Sequence, residues 1–324
     1  SELGSQAFQR RWYFVLRHGR VGHCQAINFT QMKNLIIVTG GAGFVGSNLI
    51  KLLLKKTKKK IISLDNYYSG NAKNHIKNPN VKYIKGDTKN IFHILKSNKK
   101  KIHTIFHFGE FARIYQSFLK FNQCLDANTL GTGEVFKFCL ENKIKLVYSA
   151  TSASLGNKGF DKNLSPYAFT KSKNLELLEN FKKWFNFKYE VIYFYNVYGP
   201  KQIKNGEMAT VIGIFEEKYK KNLSLPVVKP GTQTRRFTHI KDTVETCYYA
   251  WKKNLSRHYT ITNRKSYSIL EVAKMFKSKI KYLSPRKGER YASALTKINL
   301  ANKVHKKYGK IQLKKYINEF VQNC

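Results

Sequence analysis

Tyr167 and Lys171 stand four residues apart in SPYAFTKSK, so on a helix they share one face. Tyrosine, with a pKa of about 10, is a poor base at neutral pH. An ammonium one turn away, together with the positive charge of an oxidised nicotinamide, is expected to favour the phenolate and lower that pKa. The phenolate can then take the proton of a sugar hydroxyl while hydride leaves the carbon. Thr151, closing the apolar run KLVYSAT, can hydrogen-bond the same oxygen. In a chain with 20 Tyr and 49 Lys a YxxxK pair alone says little, and its weight comes from what precedes it.

What precedes it is LIIVTGGAGFVGS, residues 35–47. Leu35 to Thr39 are apolar or β-branched and too few for a helix, so they read as a fully buried strand. Gly40, Gly43 and Gly46 follow with GxxGxxG spacing, and Asn48 to Leu54 then carries a helical apolar run. Strand, glycine turn and helix together make a phosphate-binding hypothesis. Glycines let the backbone approach a pyrophosphate, and the helix N-terminus offers it unpaired N–H groups. IISLD (61–65) is a second short strand, and its Asp65 lies 25 residues beyond Gly40, where a carboxylate accepts from an adenosine ribose. An acid there favours NAD over NADP, whose 2′-phosphate it would repel. Lys55, Lys56 and Lys58–Lys60 just before it temper that preference without reversing it.

The elements that must position these residues alternate. LIIVT (35–39), IISLD (61–65), VKYIKGD (81–87), TIFHF (104–108), KLVYSA (145–150) and YEVIYFYNV (189–197) read as strands. SNLIKLLLKK, IFHILKSN, NTLGTGEVFKFCLENK and SPYAFTKSKNLELLENFKKWF read as the helices between them. This alternation predicts an α/β fold with a Rossmann-type, doubly wound parallel sheet over residues 32–200. After Gly199-Pro200 the periodicity weakens. Residues 201–324 are expected to form a smaller mixed α/β lid that binds substrate, the chain being free to cross between it and the first domain, with strands at 223–228, 235–240 and 258–262, a helix at 269–276 and a Lys-rich terminal helix. Residues 1–31 carry four Arg and no Lys, against seven Arg and 49 Lys afterwards. They read as an atypical, loosely packed extension before Met32, with no apolar stretch of the kind a signal peptide needs.

Composition narrows the class. An apolar content of 42% and an aromatic content of 14% fit a globular protein. No run of about 18 apolar residues is present, so no membrane span is expected. Cys24, Cys124, Cys139, Cys247 and Cys324 are scattered, with no CxxC or Cys/His cluster, so neither a disulfide framework nor a metal site is supported. A reducing cytoplasm is the corresponding expectation. The formal charge of +41 is spread along the chain, mostly as Lys, with no nucleic-acid-binding motif around it. It reads as a Lys- and Asn-rich solvated surface that attracts phosphate-bearing substrates.

Taken in order, these motifs resemble the extended short-chain dehydrogenases/reductases, and most of all the nucleotide-sugar epimerases typified by UDP-glucose 4-epimerase. The resemblance spans about residues 33–320. TGGAGFVGSNL (39–49) matches the cofactor turn, which implies that Gly40, Gly43, Phe44, Val45 and Gly46 contact NAD. LDNYYSG (64–70) matches the ribose segment at Asp65 and Asn66, and Gly86-Asp87 the adenine-side acid Asp87. FHFGEF (106–111) matches the third cofactor loop at Phe108 and Gly109, although the family usually carries Ala-Ala or Ala-Gly where this chain has Gly109-Glu110. Thr151, Tyr167 and Lys171 match the catalytic set, with Lys171 also touching cofactor. YFYNVYGP (193–200) implies that Asn196 contacts the sugar nucleotide. GTQTRRFTHIKD (231–242) and SPRKGER (284–290) imply that Arg235 and Arg286 clamp its diphosphate. Arg236 stands where the family commonly has Asp, which implies an added cation near the phosphates.

The reaction follows by subtraction within that family. Dehydratases carry an acidic pair after the catalytic Thr, and decarboxylases a Glu beside it; here Ser152 and Ala153 follow Thr151. Tyr, Lys and Thr alone suffice to remove and return hydride, which implies inversion at C4 of a UDP-hexose through a transient keto sugar, with NAD regenerated each cycle. The alternatives are an epimerase or keto-reductase acting on a uronic acid or N-acetylamino sugar nucleotide, or a non-catalytic basic relative binding NAD or nucleic acid. Family members commonly form homodimers through two helices, here 128–143 and 165–185.

Overall fold

Alternate residues of LIIVT point to opposite faces, and both faces are buried. The strand must therefore be covered on both sides. In the computed structural model, which describes residues 33–155, 162–289 and 304–324, it lies inside a sheet of eight parallel strands. These are β1 (Leu35–Thr39), β2 (Lys60–Asp65), β3 (Val81–Lys85), β4 (Ile102–His107), β5 (Lys145–Thr151), β6 (Tyr189–Phe194), β7 (His258–Thr262) and β8 (Val304–Tyr308). Their spatial order is β8-β7-β6-β5-β4-β1-β2-β3. The expected extension at 1–31 lies outside the described residues.

The main helices are α1 (Phe44–Lys56), α2 (Thr132–Glu141), α3 (Pro166–Phe185), α4 (Val211–Lys220), α5 (Ile240–Lys253), α6 (Ile269–Met275) and α7 (Leu313–Gln322). On one face, Ile36 and Val38 of β1 pack with Leu49, Ile50 and Leu53 of α1 and Val244, Cys247 and Ala250 of α5. On the other, Leu35 and Ile37 belong to a core with Val135, Phe136 and Phe138 of α2 and Leu175 and Leu178 of α3. A third core joins α4, α6 and α7 through Phe215, Val272, Phe276, Leu313 and Ile317, with Leu225 and Val227 of a short strand.

Three sequence expectations need correction. HYTIT (258–262) is not a strand of a separate lid: it is β7, parallel to β6, with all five residues buried and Tyr259 and Ile261 in the α1/α5 core. A five-residue β-prone run does not carry the identity of the sheet it joins. The helix expected over 128–143 begins instead with a wider π-type turn at Asp126–Gly131 before α2. The strand expected over 189–197 breaks after Phe194; Asn196 has φ +28°, and Val197–Tyr198 pairs with Thr238–His239 instead.

β1 is flanked by β2 and β4, so the strand order reverses direction there. In such sheets the crevice beyond the carboxyl ends of the strands at the reversal is where ligands bind. Gly40, Asp65, Phe108 and Thr151 all lie at or just past those ends.

Candidate active site

Gly40 turns the chain out of β1 with φ +67°, and a Cβ there would sit 2.8 Å from the Phe108 carbonyl. Gly46, on the first turn of α1, rests against that bend: its Cβ would lie 2.1 Å from the Gly40 oxygen. No side chain caps the N-terminus of α1, where Gly43 is the N-cap. The turn thus leaves bare backbone and helix N–H groups facing a cavity of about 690 Å³, which suits a pyrophosphate. Asp65, at the end of β2, accepts from Ala42 N at 2.9 Å and Tyr67 N at 2.8 Å, which couples the acid to the glycine turn. Burial raises its pKa against these stabilising backbone bonds. Asn66 donates to Asp87 at 3.0 Å, closing the adenine side. These residues fit a dinucleotide carrying a ribose and a diphosphate.

The catalytic candidates meet at the other end of the same cavity. Ser165 caps α3 by accepting from Ala168 N at 3.1 Å, and Pro166 opens the helix, so Tyr167 lies in its first turn. The Thr151 hydroxyl at the end of β5 lies near the Tyr167 phenol and acts to lower its pKa. Lys171 lies one turn further on. Its ammonium donates to Ser149 O at 2.6 Å and to Glu110 Oε2, and sits 4.7 Å from the centre of the Tyr148 ring.

The chain's own groups do not by themselves acidify Tyr167; the expected lowering also drew on the charge of the nicotinamide. Burial pushes the Tyr167 phenol up to about 12; the Thr151 hydroxyl opposes the rise, Glu110 adds to it, and Arg113 opposes it. The Lys171 charge is cancelled by the buried Glu110 carboxylate, so it has little field left to act on the phenol.

All the residues put forward from the sequence except Arg236 line this one cavity: Gly40, Gly43, Phe44, Val45, Gly46, Asp65, Asn66, Asp87, Phe108, Gly109, Thr151, Tyr167, Lys171, Asn196, Arg235 and Arg286. Their partners modify the picture. Asn196 donates to Arg236 O at 2.9 Å. Arg235 is paired with Glu289 and also donates to Thr234 O, while Arg286 is exposed and stacks 5.2 Å from the centre of the Tyr115 ring. Arg236 does not line the cavity; it reaches toward Asn263 O at 3.5 Å, so the extra cation expected near the phosphates is turned away from them.

Residues 36–263 match the description "NAD dependent epimerase/dehydratase family". The chain belongs to this family. NAD is accordingly its cofactor. A Methanocaldococcus jannaschii protein assigned as UDP-glucose 4-epimerase is 30% identical over 272 residues, 79% of this chain and 88% of that protein. An ADP-L-glycero-D-manno-heptose-6-epimerase of Fusobacterium nucleatum is 27% identical over 74% and 78% of the two chains. The UDP-glucose 4-epimerase of Thermotoga maritima, solved with UDP-glucose, shares the fold with a TM-score of 0.78 at 22% identity, covering 89% of this chain and 97% of its own.

Two residues of this NAD-dependent epimerase/dehydratase escaped the sequence reading. Arg113 lines the cavity beside Tyr167, with Nη1 donating to Ala112 O at 2.7 Å, Nη2 donating to Met208 O, and a buried Nε without a partner. A usable signal was its residue type, since a chain that makes nearly every surface cation a Lys spends few Arg, and three of these line the site. His107 is fully buried between Thr39 Oγ1 at 2.7 Å and Thr132 Oγ1 at 3.0 Å. Burial lowers its pKa to about 4. Its folded pKa lies below the unfolded value near 6.5, so the unfolded chain binds the extra proton between those values. Stability should therefore be lost as pH falls from about 6.5 to 4, by roughly 3 kcal/mol from this group. Urea unfolding across that window checks this, and His107→Gln should flatten the slope.

Proposed function

We propose that the chain inverts C4 of a UDP-hexose of the glucose/galactose type through a transient 4-keto sugar. The observation that carries this reading is the poverty of the catalytic end. Thr151 and Tyr167 meet there with Lys171 behind them, and the short helix Ser152–Leu155 after β5 brings no acid to the sugar. Glu110 does not supply one, because its carboxylate is turned to Lys171, Tyr148, Thr132 and Asn174. Water elimination needs a further acid and base; oxidation and return of hydride do not.

NAD, when bound, supplies reversible acceptance of a hydride. The chain's own residues do the rest. Tyr167 takes the O4 proton and later returns it, and Thr151 holds the phenol in line. Asn196, Arg235 and Arg286 hold the nucleotide and its diphosphate. The intermediate turns over in the cavity before hydride returns to its opposite face. Incubation with UDP-glucose, UDP-galactose and their N-acetyl forms, without added NAD, should interconvert each C4 pair by NMR. Loss of water, or one reduced cofactor released per sugar, would refute epimerisation.

Arg113 favours a second reading. A buried guanidinium beside Tyr167, with no carboxylate paired to it among the described residues, suits a sugar bearing an anionic group. UDP-glucuronate and UDP-galacturonate therefore belong in the same panel, and exclusive turnover of these would replace the neutral hexose. We read the core built by α4, α6 and α7, and not the whole of residues 201–324, as the part that closes over the sugar, and the partner as a second copy. Exposed Phe169, Trp184 and Phe185 on α3 and Leu130 just before α2 offer apolar surface for it. Sedimentation should give twice the chain mass. No described helix is long and apolar enough to cross a membrane, and we place the enzyme in the cytoplasm.

A further inference from the structure

Glu110 occupies a position where the sequence motif calls for a small residue, and its side chain is 2% exposed. Burying a carboxylate is costly unless every oxygen is met. Here both are. Oε2 takes Lys171 Nζ. Oε1 takes Thr132 Oγ1 at 3.0 Å, Tyr148 OH at 3.0 Å and Asn174 Nδ2 at 3.3 Å. The chain of bonds extends further back and has a direction. Phe108 N and Gly109 N both donate to Thr39 Oγ1, so Thr39 must spend its proton on His107 Nδ1. His107 Nε2–H then donates to Thr132, whose hydroxyl has Glu110 Oε1 at 3.0 Å and Ala127 O at 3.2 Å as acceptors. Two sets of donors thus converge on the Glu110 carboxylate, the Thr39–His107–Thr132 chain on one oxygen and Lys171 on the other.

We propose that Glu110 is a positioning residue of the reaction: it anchors Lys171 and cancels its charge, leaving Arg113 as the cation that supports the Tyr167 phenolate. The role rests on the reading of Tyr167 as the acid/base. Arg113 is placed for it. It shares the 108–115 loop with Glu110, its Nη2 is tied to Met208 O, and Met208 packs with Tyr167 and Phe111. Among the described residues the remaining groups facing the phenol carry no competing charge, and bound NAD adds that of its nicotinamide equally in each variant. From the helix at Phe121–Leu125 comes Cys124, whose thiol is pushed up to about 11 by burial. From β5 come Thr151 and the neutral phenol of Tyr148. From β4 comes His107, which stays uncharged above about pH 4. From α3 itself comes Lys171, already paired. A like charge removed from the neighbourhood of an acid lowers its pKa by about 1–3 units when it lies within a few ångströms.

The test reads the phenol directly. In NAD-loaded protein carrying ζ-¹³C-tyrosine, the Tyr167 resonance is assigned by its loss in Tyr167→Phe and followed with pH. Glu110→Gln keeps the shape and one acceptor oxygen. It should move the Tyr167 midpoint down by about one unit or more, and the rising limb of turnover with pH by the same amount. Arg113→Gln should move both the opposite way, and serves as the second variant should Glu110→Gln fold poorly. An unmoved Tyr167 midpoint in either folded variant, with only the melting temperature lowered, would overturn the proposal and leave Glu110 a purely structural carboxylate. The two readings fail separately. A displaced phenol in a protein inert toward every UDP-sugar would sink the substrate assignment alone, and an undisplaced phenol in an active epimerase would sink this inference alone.

Discussion

Replacing Tyr167 with Phe should lower turnover by about 10³-fold or more while leaving the protein folded and its NAD in place. The change removes one oxygen. The ring keeps its place among Phe111, Cys124, Ala153, Ala168 and Met208, an apolar pocket that accepts phenylalanine without a void. What is lost, on the proposed reaction, is the one group among the described residues at that end placed to hold a proton taken from O4. Thr151 can orient an oxygen but has no pKa in a useful range, and Lys171 is held by Glu110 and Ser149 O. The kinetic signature should be a fall in kcat with KM little changed, since the nucleotide is gripped elsewhere. Single-turnover reduction of bound NAD, followed at the nicotinamide absorbance, is the cleanest measurement. Near-normal turnover would mean that some other residue moves the proton.

The second large effect is on stability. Lys171→Met should destabilise the fold by about 3–5 kcal/mol, far more than a surface lysine would, because it strands Glu110 as an unpaired carboxylate inside the protein. Methionine matches the lysine stem in size, so the loss is electrostatic and not a cavity. The double variant Lys171→Met/Glu110→Gln should recover much of that stability, since removing both charges leaves nothing uncompensated. Urea denaturation of the two single variants and the double closes the cycle. Additive losses would show that the pair does not interact as drawn here.

Much of this was legible in the residues. LIIVT followed by three spaced glycines specified a strand, a turn and a helix, because few backbones other than a phosphate cradle need that combination. Ser165-Pro166 announced the start of α3, and the four-residue step to Lys171 placed both side chains on one face. What was not legible were the pairings across the fold. Lys171 and Glu110 are 61 residues apart, and Arg235 and Glu289 are 54 apart. The field of a lysine depends on such a neighbour, so the share of Lys171 in tuning the phenol could not be read from the four-residue spacing. β7 was misplaced for the same reason: a short β-prone run tells that it is a strand, not which edge it extends. Arg236 shows the converse error, a cation assigned to the site by its place in a motif when its guanidinium turns to Asn263 O.

The membership of β7 in the main sheet sets how the polypeptide can be divided. A fragment stopped near residue 200 would contain the entire cofactor cradle and the tyrosine, yet it would present β6 as a naked border with its amide row unsatisfied. Such a border invites intermolecular strand addition. Splitting this enzyme between its two halves for reassembly or fusion would therefore yield aggregates from the first piece, and any workable cut must leave both β7 and β8 with β6, after Tyr308.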